Sequence, residues 1–398
     1  MTTKTNYKFA IPNSNGTSST TYVDMDDMFV SAETFVEKGL YAWGNGTGGL
    51  LGDGTILSKS SPVQIGSLTD WKQVSAGDSY TLAVKTGGTL WAWGVNTNGR
   101  LGDNTTVSKS SPVQIGSLTN WKQVSASGHT LAVKTDGTLW AWGLGTAGQL
   151  GDSAFTTRSS PVQIGLLTNW YQVAVGVQHS LAVKTDGTLW AWGVNNNGQL
   201  GNGTVVNTSS PIQIGLLNNW RQVSAGINGR FSAAIKTDGT LWTWGLNNLG
   251  QLGDGTAVNA SSPVQVGALT NWKQVSCGTD FSVAVTTNGN LYAWGNGATG
   301  RLGDNTTVAK SSPVQIGSLT NWKQVSARSD GGNASAVKTD GTLWAWGNGG
   351  AGRLGDGTIV SKSSPVQIGI LTSWNQVTVG TDHTVGVLNF NGLSGYTY

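Results

Sequence analysis

Apolar and polar positions along this chain fall into short stretches that recur at a fixed interval. One stretch reads Leu-Trp-Ala-Trp-Gly, as at residues 139–143. In an extended strand, Trp140 and Trp142 point to one side, and Leu139 and Ala141 to the other. Both faces are apolar, so a sheet holding this strand must be covered on both sides. Large residues facing small ones let neighbouring sheets interlock at interior density. A second stretch, Trp-x-Gln-Val, begins at Trp71, Trp121, Trp170, Trp220, Trp272, Trp322 and Trp374. The aromatic-x-Trp-Gly stretch also recurs seven times, with its Trp at Trp43, Trp93, Trp142, Trp192, Trp244, Trp294 and Trp346. Together the two stretches account for all 19 tryptophans.

From each Trp-Gly to the next Trp-x-Gln-Val is always 28 residues, whereas the other gap varies between 21 and 24. A period of about 50 residues is the mark of a repeat architecture. Four strands fit each repeat. In one copy, strand A is Trp121 to Ala126 and strand B is Thr130 to Lys134. A hairpin turn follows at Thr135-Asp136-Gly137, then strand C from Leu139 to Trp142 and strand D from Pro161 to Ile164. Asp-Gly between apolar runs is a strong hairpin signal. Strand A ends in small Ser-Ala-Gly residues, which places it at the crowded centre of a ring. The chain begins its repeats at a strand C (from Gly39) and ends them after a strand B (Thr384 to Leu388). Pairing those two closes the ring and removes both sheet edges. The predicted fold is all-β: a seven-bladed β-propeller of four-stranded antiparallel blades over residues 39–392, with an N-terminal arm (1–38) and a short C-terminal tail (393–398).

Composition narrows the class further. Charged residues are 11%, glycines number 59, and the net charge is +3 with no run of Lys or Arg. That reading gives no footprint for nucleic acid. The lone Cys277 excludes an intrachain disulfide and a Cys-rich zinc site. No apolar run approaches a membrane span, and the N-terminal residues lack a signal peptide's apolar core.

The sequence Trp-Gly, then Gly-Gln-Leu-Gly (Gly148 to Gly151, Gly198 to Gly201, Gly250 to Gly253), then Pro-Val-Gln-Ile, then a Gly-x-x-His-Ser/Thr approach to strand B resembles the regulator of chromosome condensation repeat. The resemblance implies a seven-bladed propeller. That family's founding member is a nuclear nucleotide-exchange factor for a small GTPase and binds nucleosomes. It uses a blade insertion that wedges into the GTPase and a basic N-terminal arm. Here no repeat exceeds its siblings by more than three residues, and the arm carries three basic and five acidic residues. The exchange activity is therefore not carried over.

Candidate chemistry is sparse. His129, His179 and His383 share one repeat position with Tyr80, Phe231 and Phe281, as expected of a packing position rather than of a metal or catalytic site. The recurring Leu-Gly-Asp offers a single carboxylate per site and reads as a turn. No catalytic constellation or cofactor motif stands out, so the expectation is a non-enzymatic protein without cofactor or metal. The A–B and C–D loops share one face and carry the diversity. The candidate binding rim there is Asp78, Tyr80, His129, Gln178, His179, Asn228, Arg230, Phe231, Asp280, Phe281, Arg328, Asp330, Asp382 and His383. Arg230 and Arg328 lie in the two longest loops. In the arm, Met25, Met28, Phe29 and Phe35 form a short amphipathic stretch and are candidate attachment residues. An anchor followed by a repetitive β domain resembles, in organisation, phage tail and virion surface proteins. The leading expectation is a virion-associated or cell-surface module, without a signal peptide, that docks on a larger assembly by its arm. Its rim would recognise a protein or a surface glycan, and a homo-oligomer is compatible. The alternative is a soluble cytoplasmic interaction scaffold such as a GTPase regulator.

Overall fold

The computed structural model describes residues 37–227, 230–327 and 331–390. They form seven four-stranded antiparallel sheets. Blade 1 spans 71–114, blade 2 121–163, blade 3 170–213, blade 4 220–265, blade 5 272–315 and blade 6 322–367. Blade 7 joins the two ends of the chain. Its strands A and B are Trp374–Val379 and His383–Phe390, and its strands C and D are Glu37–Gly44 and Lys59–Gln64. The pairing runs without a break from Glu37↔Phe390 to Gly44↔His383. These two strands have eight residues each, against five and six for strands C and B elsewhere. The expected closure is therefore present, made by the longest ladder in the molecule.

The strand positions follow the sequence pattern to within one or two residues, with one larger difference. Strand D of blade 2 is Arg158–Gln163, starting three residues before the expected Pro161. Gly143 has a positive φ of 93°, which bends strand C outward. The partner strand pairs again at Arg158↔Gly143, past an irregularity in the ladder.

Blades stack through their apolar faces. Between blades 1 and 2, Leu90 and Ala92 meet Trp121, Trp140 and Trp142, with Tyr80, Leu82 and Val84 beside them. The seam between blades 7 and 1 packs in the same way, Leu40, Ala42 and Val385 against Trp71 and Trp93. Each second Trp of strand C is fully buried, and its indole N–H donates to a carbonyl of the preceding blade's C–D loop. Trp142 reaches the carbonyl of Arg100 at 3.0 Å, and Trp43 that of Arg353 at 3.0 Å. The glycine of Leu-Gly lies over this indole. At Gly201, a Cβ would sit 2.7 Å from Trp244 Nε1, with φ at +78°. That crowding, and not only the turn, explains the glycine.

Strands A line the central channel. The glutamine of Trp-x-Gln-Val joins each blade to the next there. Gln73 Nε2 donates to the carbonyl of Val124 at 2.8 Å, and the Val124 N–H donates back to Gln73 Oε1 at 2.9 Å. Gln123 repeats the pair with Val173, Gln222 with Val275, Gln274 with Val325, and Gln324 with Val377. Gln172 accepts from the Val223 N–H at 3.0 Å. Gln376 closes the circle on Val74, at 3.2 and 3.3 Å. A primary amide carries a donor and an acceptor side by side, so it extends a β-ladder across a gap that backbone alone does not bridge.

Gln222→Leu keeps the volume but orphans the N–H and C=O of Val275. Each unmet buried polar group costs about 1–3 kcal/mol. Urea unfolding is expected to show a loss of about 2–4 kcal/mol. An unchanged midpoint would mean that the amide circle does not hold the blades together.

Candidate binding rim

The face formed by the A–B and C–D loops is fixed by the strands below it. In every blade but the second, the residue before strand B offers its carbonyl to the N–H that follows the Trp-Gly of strand C. Val95 thus bonds Ser79 at 2.8 Å, Val194 bonds Gln178 at 2.9 Å, and Leu246 bonds Arg230 at 2.7 Å. Length changes fall in the A–B loops, two residues long between strands in blade 2 and three in blades 1 and 3. Asn228, Arg328 and Asp330 lie outside the described residues, as do Met25, Met28, Phe29 and Phe35 of the arm.

The rim candidates separate into two groups. Tyr80, His129, His179, Phe231, Phe281 and His383 are all fully buried, so they do not present side chains to a partner and are corrected to interior residues. They open strand B and reach into the next blade. Tyr80 Oη donates to the carbonyl of His129 at 2.9 Å. His129 Nε2 meets Ser180 Oγ at 2.7 Å, His179 Nε2 meets Ser232 Oγ at 2.9 Å, and His383 Nε2 meets Thr81 Oγ1 at 2.8 Å across the seam. Ser180 and Ser232 spend their protons on the carbonyls of Gln149 and Gln199, each at 2.7 Å. His129 and His179 must therefore donate from Nε2–H. Burial lowers the His179 imidazole to about 3 and that of His383 to about 4, so both are neutral in the folded ring. Where the position is Phe281, the facing residue is Ala334, and the two share one apolar cluster.

The second group stays at the surface. Gln178 and Arg230 are exposed. Asp78 and Asp382 are half-buried and tie loops together. Asp78 accepts from Ser127 Oγ at 3.0 Å, and Asp382 pairs with Arg353 at 2.9 Å. Asp280 is half-buried, and its carbonyl accepts from the Asn296 N–H at 2.9 Å.

The Leu-Gly-Asp carboxylates close turns, as expected. Asp53 Oδ1 accepts from both the N–H and the hydroxyl of Thr55, at 3.0 and 2.8 Å. Burial alone would raise the Asp103 carboxyl. Thr105, Asn96 and Lys109 outweigh it and hold the group below the usual carboxylate range. No group of three or more His, Cys, Asp or Glu able to hold a metal gathers among the described residues.

Two features escape a reading along the chain. Apolar side chains project from the C–D loop tips, one or two per blade, aliphatic in all but blade 2, which has Phe155. Ile359 and Val360 of blade 6 are 70% and 59% exposed, and Ile56 and Leu57 of the adjacent blade 7 are 67% and 62% exposed. On the opposite face, the second residue of Trp-x-Gln-Val places Lys72, Lys122, Arg221 and Lys273 around the channel mouth, and Lys323 holds the equivalent position in blade 6. Both emerge only when equivalent repeat positions are read together.

A family profile described as an RCC1-like domain matches residues 39–386. No curated protein matches the sequence significantly. Among solved structures, human WBSCR16 is similar with a TM-score of 0.79 and 21% identity, over 89% of this chain and 100% of that one. Prp20p of Saccharomyces cerevisiae, in a study of its binding properties to Gsp1p and histones, has a TM-score of 0.77 and 21% identity, over 90% and 93%. Yeast RCC1 (Prp20) bound by Kap60 gives 0.79 and 21%, over 97% of each chain. At such identities these likenesses speak for the fold.

The buried histidines set an acid limit on stability. Unfolded histidine titrates near 6.5, while folded His179 and His383 resist protonation down to about 3 and 4. Between those values the unfolded chain binds protons that the folded chain does not, so stability falls as pH drops below about 6.5. The melting temperature is expected to fall between pH 7.5 and pH 4.5. The double variant His179→Phe/His383→Phe, using the residue present at Phe231 and Phe281, is expected to flatten that slope. An equally steep slope in the variant would contradict the assignment.

Proposed function

Because this chain belongs to the RCC1-like domain family, we propose that it works as a non-enzymatic protein-interaction scaffold that recognises a partner protein with its A–B and C–D loop rim. The carrying observation is a coincidence on one face. The loops that vary in length and sequence share it with the paired aliphatic tips Ile359, Val360, Ile56 and Leu57 on adjacent blades. Exposed apolar clusters rimmed by polar loops mark protein interaction surfaces, and loops on a rigid scaffold are where recognition concentrates. Gln178 and Arg230 would supply directional contacts at the same rim.

The fold neighbours add support of a general kind, since Prp20p binds Gsp1p and histones, and yeast RCC1 is seen bound to Kap60. This favours an interaction scaffold over virion or cell-surface display, for which the family match offers no support. A protein partner is likewise favoured over a glycan. Regulation of a GTPase is the specific form that the family suggests. It would have to proceed without a wedge, because no repeat carries an insertion large enough to form one.

The rim variant Ile56→Ser/Leu57→Ser/Ile359→Ser/Val360→Ser/Arg230→Ala alters only exposed positions. The control is Leu166→Ser/Leu216→Ser, whose leucines are 91% and 95% exposed on the other face. In quantitative affinity capture from cell extract, the rim variant is expected to retain at least about tenfold less of any specific partner, in line with the loss of interface anchors. The control is expected to match wild type. Equal capture by the rim variant would exclude this face.

A further inference from the structure

The face opposite the rim has a charged centre. Strands A begin there, and the second residue of each surrounds the channel mouth. Going round the ring, these are Lys72, Lys122, Tyr171, Arg221, Lys273, Lys323 and Asn375. Five of seven are cations. Lys72, Lys122, Arg221 and Lys273 line a funnel of about 600 Å³ together with Tyr171 and the glutamines Gln123, Gln172, Gln222 and Gln274. No carboxylate lines it.

The acidic groups of this face are engaged farther out. Asp70 pairs with Lys85 at 3.0 Å, and Asp136, Asp186, Asp238 and Asp340 accept from the threonines two residues on, in the B–C turns. Neither the four funnel cations nor Lys323 pairs with a carboxylate among the described residues. Two of them are preset. Arg221 Nη2 donates to the carbonyls of Trp272 and Lys273 at 3.0 and 3.3 Å, and Lys122 Nζ lies 5.2 Å over the Tyr171 ring.

We propose that this axial funnel is a binding site for a compact polyanion bearing several phosphate groups. Like charges converging on one axis repel each other and leave a strong positive potential, focused by the concave wall. Lysines act as point-charge partners for phosphate, and the arginine adds directed donors. The shape selects among anions. A duplex or long strand needs a track of cations across a surface, whereas these point inward at one cavity. The glutamine amides beneath already pair with backbone, so they form a floor and the cations do the recognising. This site is independent of the rim, because it sits at the other end of the channel.

Tripolyphosphate titrated into the full chain is the direct probe, by calorimetry and thermal shift. Binding that weakens with salt and raises the melting temperature is expected. The variant Lys72→Gln/Lys122→Gln/Arg221→Gln/Lys273→Gln/Lys323→Gln is expected to weaken it at least about tenfold. The double variant Lys72→Gln/Lys273→Gln should fall between, which keeps the test usable if the larger variant does not fold. A control that removes as many rim-side charges, Lys59→Gln/Lys109→Gln/Arg158→Gln/Lys310→Gln/Lys362→Gln, should bind as wild type does. Failure of wild type to bind, or equal binding by the funnel and control variants, would overturn the site. Tighter binding of a single-stranded oligonucleotide than of tripolyphosphate would overturn the compact-ligand assignment.

Discussion

Seven glutamine side chains hold the centre of this molecule together. Each bridges a gap between innermost strands, and six of them both donate to and accept from the next backbone. The blades splay apart as they radiate, so their inner edges do not lie side by side at sheet spacing. A side-chain amide fills that offset with the right pair of polar atoms. Ser75, Ser125, Ser224, Ser276, Ser326 and Thr378 add a second tie, each accepting a backbone N–H from the next blade. Blade 3 has Ala174 at that place and lacks this tie; beside Gln172, the Val177 N–H donates to the carbonyl of Ile227 at 2.9 Å and His179 meets Ser232.

The outer layers follow from this central constraint. Once the blades are set edge to edge, their faces converge inward, and the strand C tryptophans fill the space. Their indole N–H groups pin the C–D loops, and the glycine beneath each indole leaves no room for a side chain. This chain of fits accounts for the fixed 28-residue stretch, since a length change there would displace an indole or its acceptor. The A–B loops lie beyond it and vary freely. One tethered carbonyl holds the end of every loop except the short one of blade 2, so diversity in the middle costs the ring little. The result is a rigid body with one adaptable face and one monotonous face whose centre is basic.

Much of this was legible in the sequence because the repeat reports its own geometry. Strand order, innermost strand and ring closure all follow from where Trp-x-Gln-Val and Trp-Gly stand. What the sequence hid are contacts between repeats. Gln73 and Val124 are 51 residues apart, and nothing near Gln73 reveals the partner. The His/Tyr/Phe position was readable as packing, yet its neighbours in exposed loops suggested a rim. The structure turns Tyr80, His129, His179 and His383 inward to the next blade instead. The basic funnel was invisible for the same reason. Its cations stand about one repeat apart and form no run, so the thin net charge concealed a concentrated one.

The ring is one closed unit with no weak seam, although blade 7 is made from both ends of the propeller segment. Native-state hydrogen exchange tests it most directly, because amides that open locally exchange faster than those released by global unfolding. Val74 and Val377, in the blades that meet at and beside the seam, are expected to be protected to the same global limit as Val223 and Val275. Strands Glu37–Gly44 and His383–Phe390 should share that limit. Exchange at the seam orders of magnitude faster than in blades 3 to 5 would contradict it, and would mean that the ring opens where its ends meet.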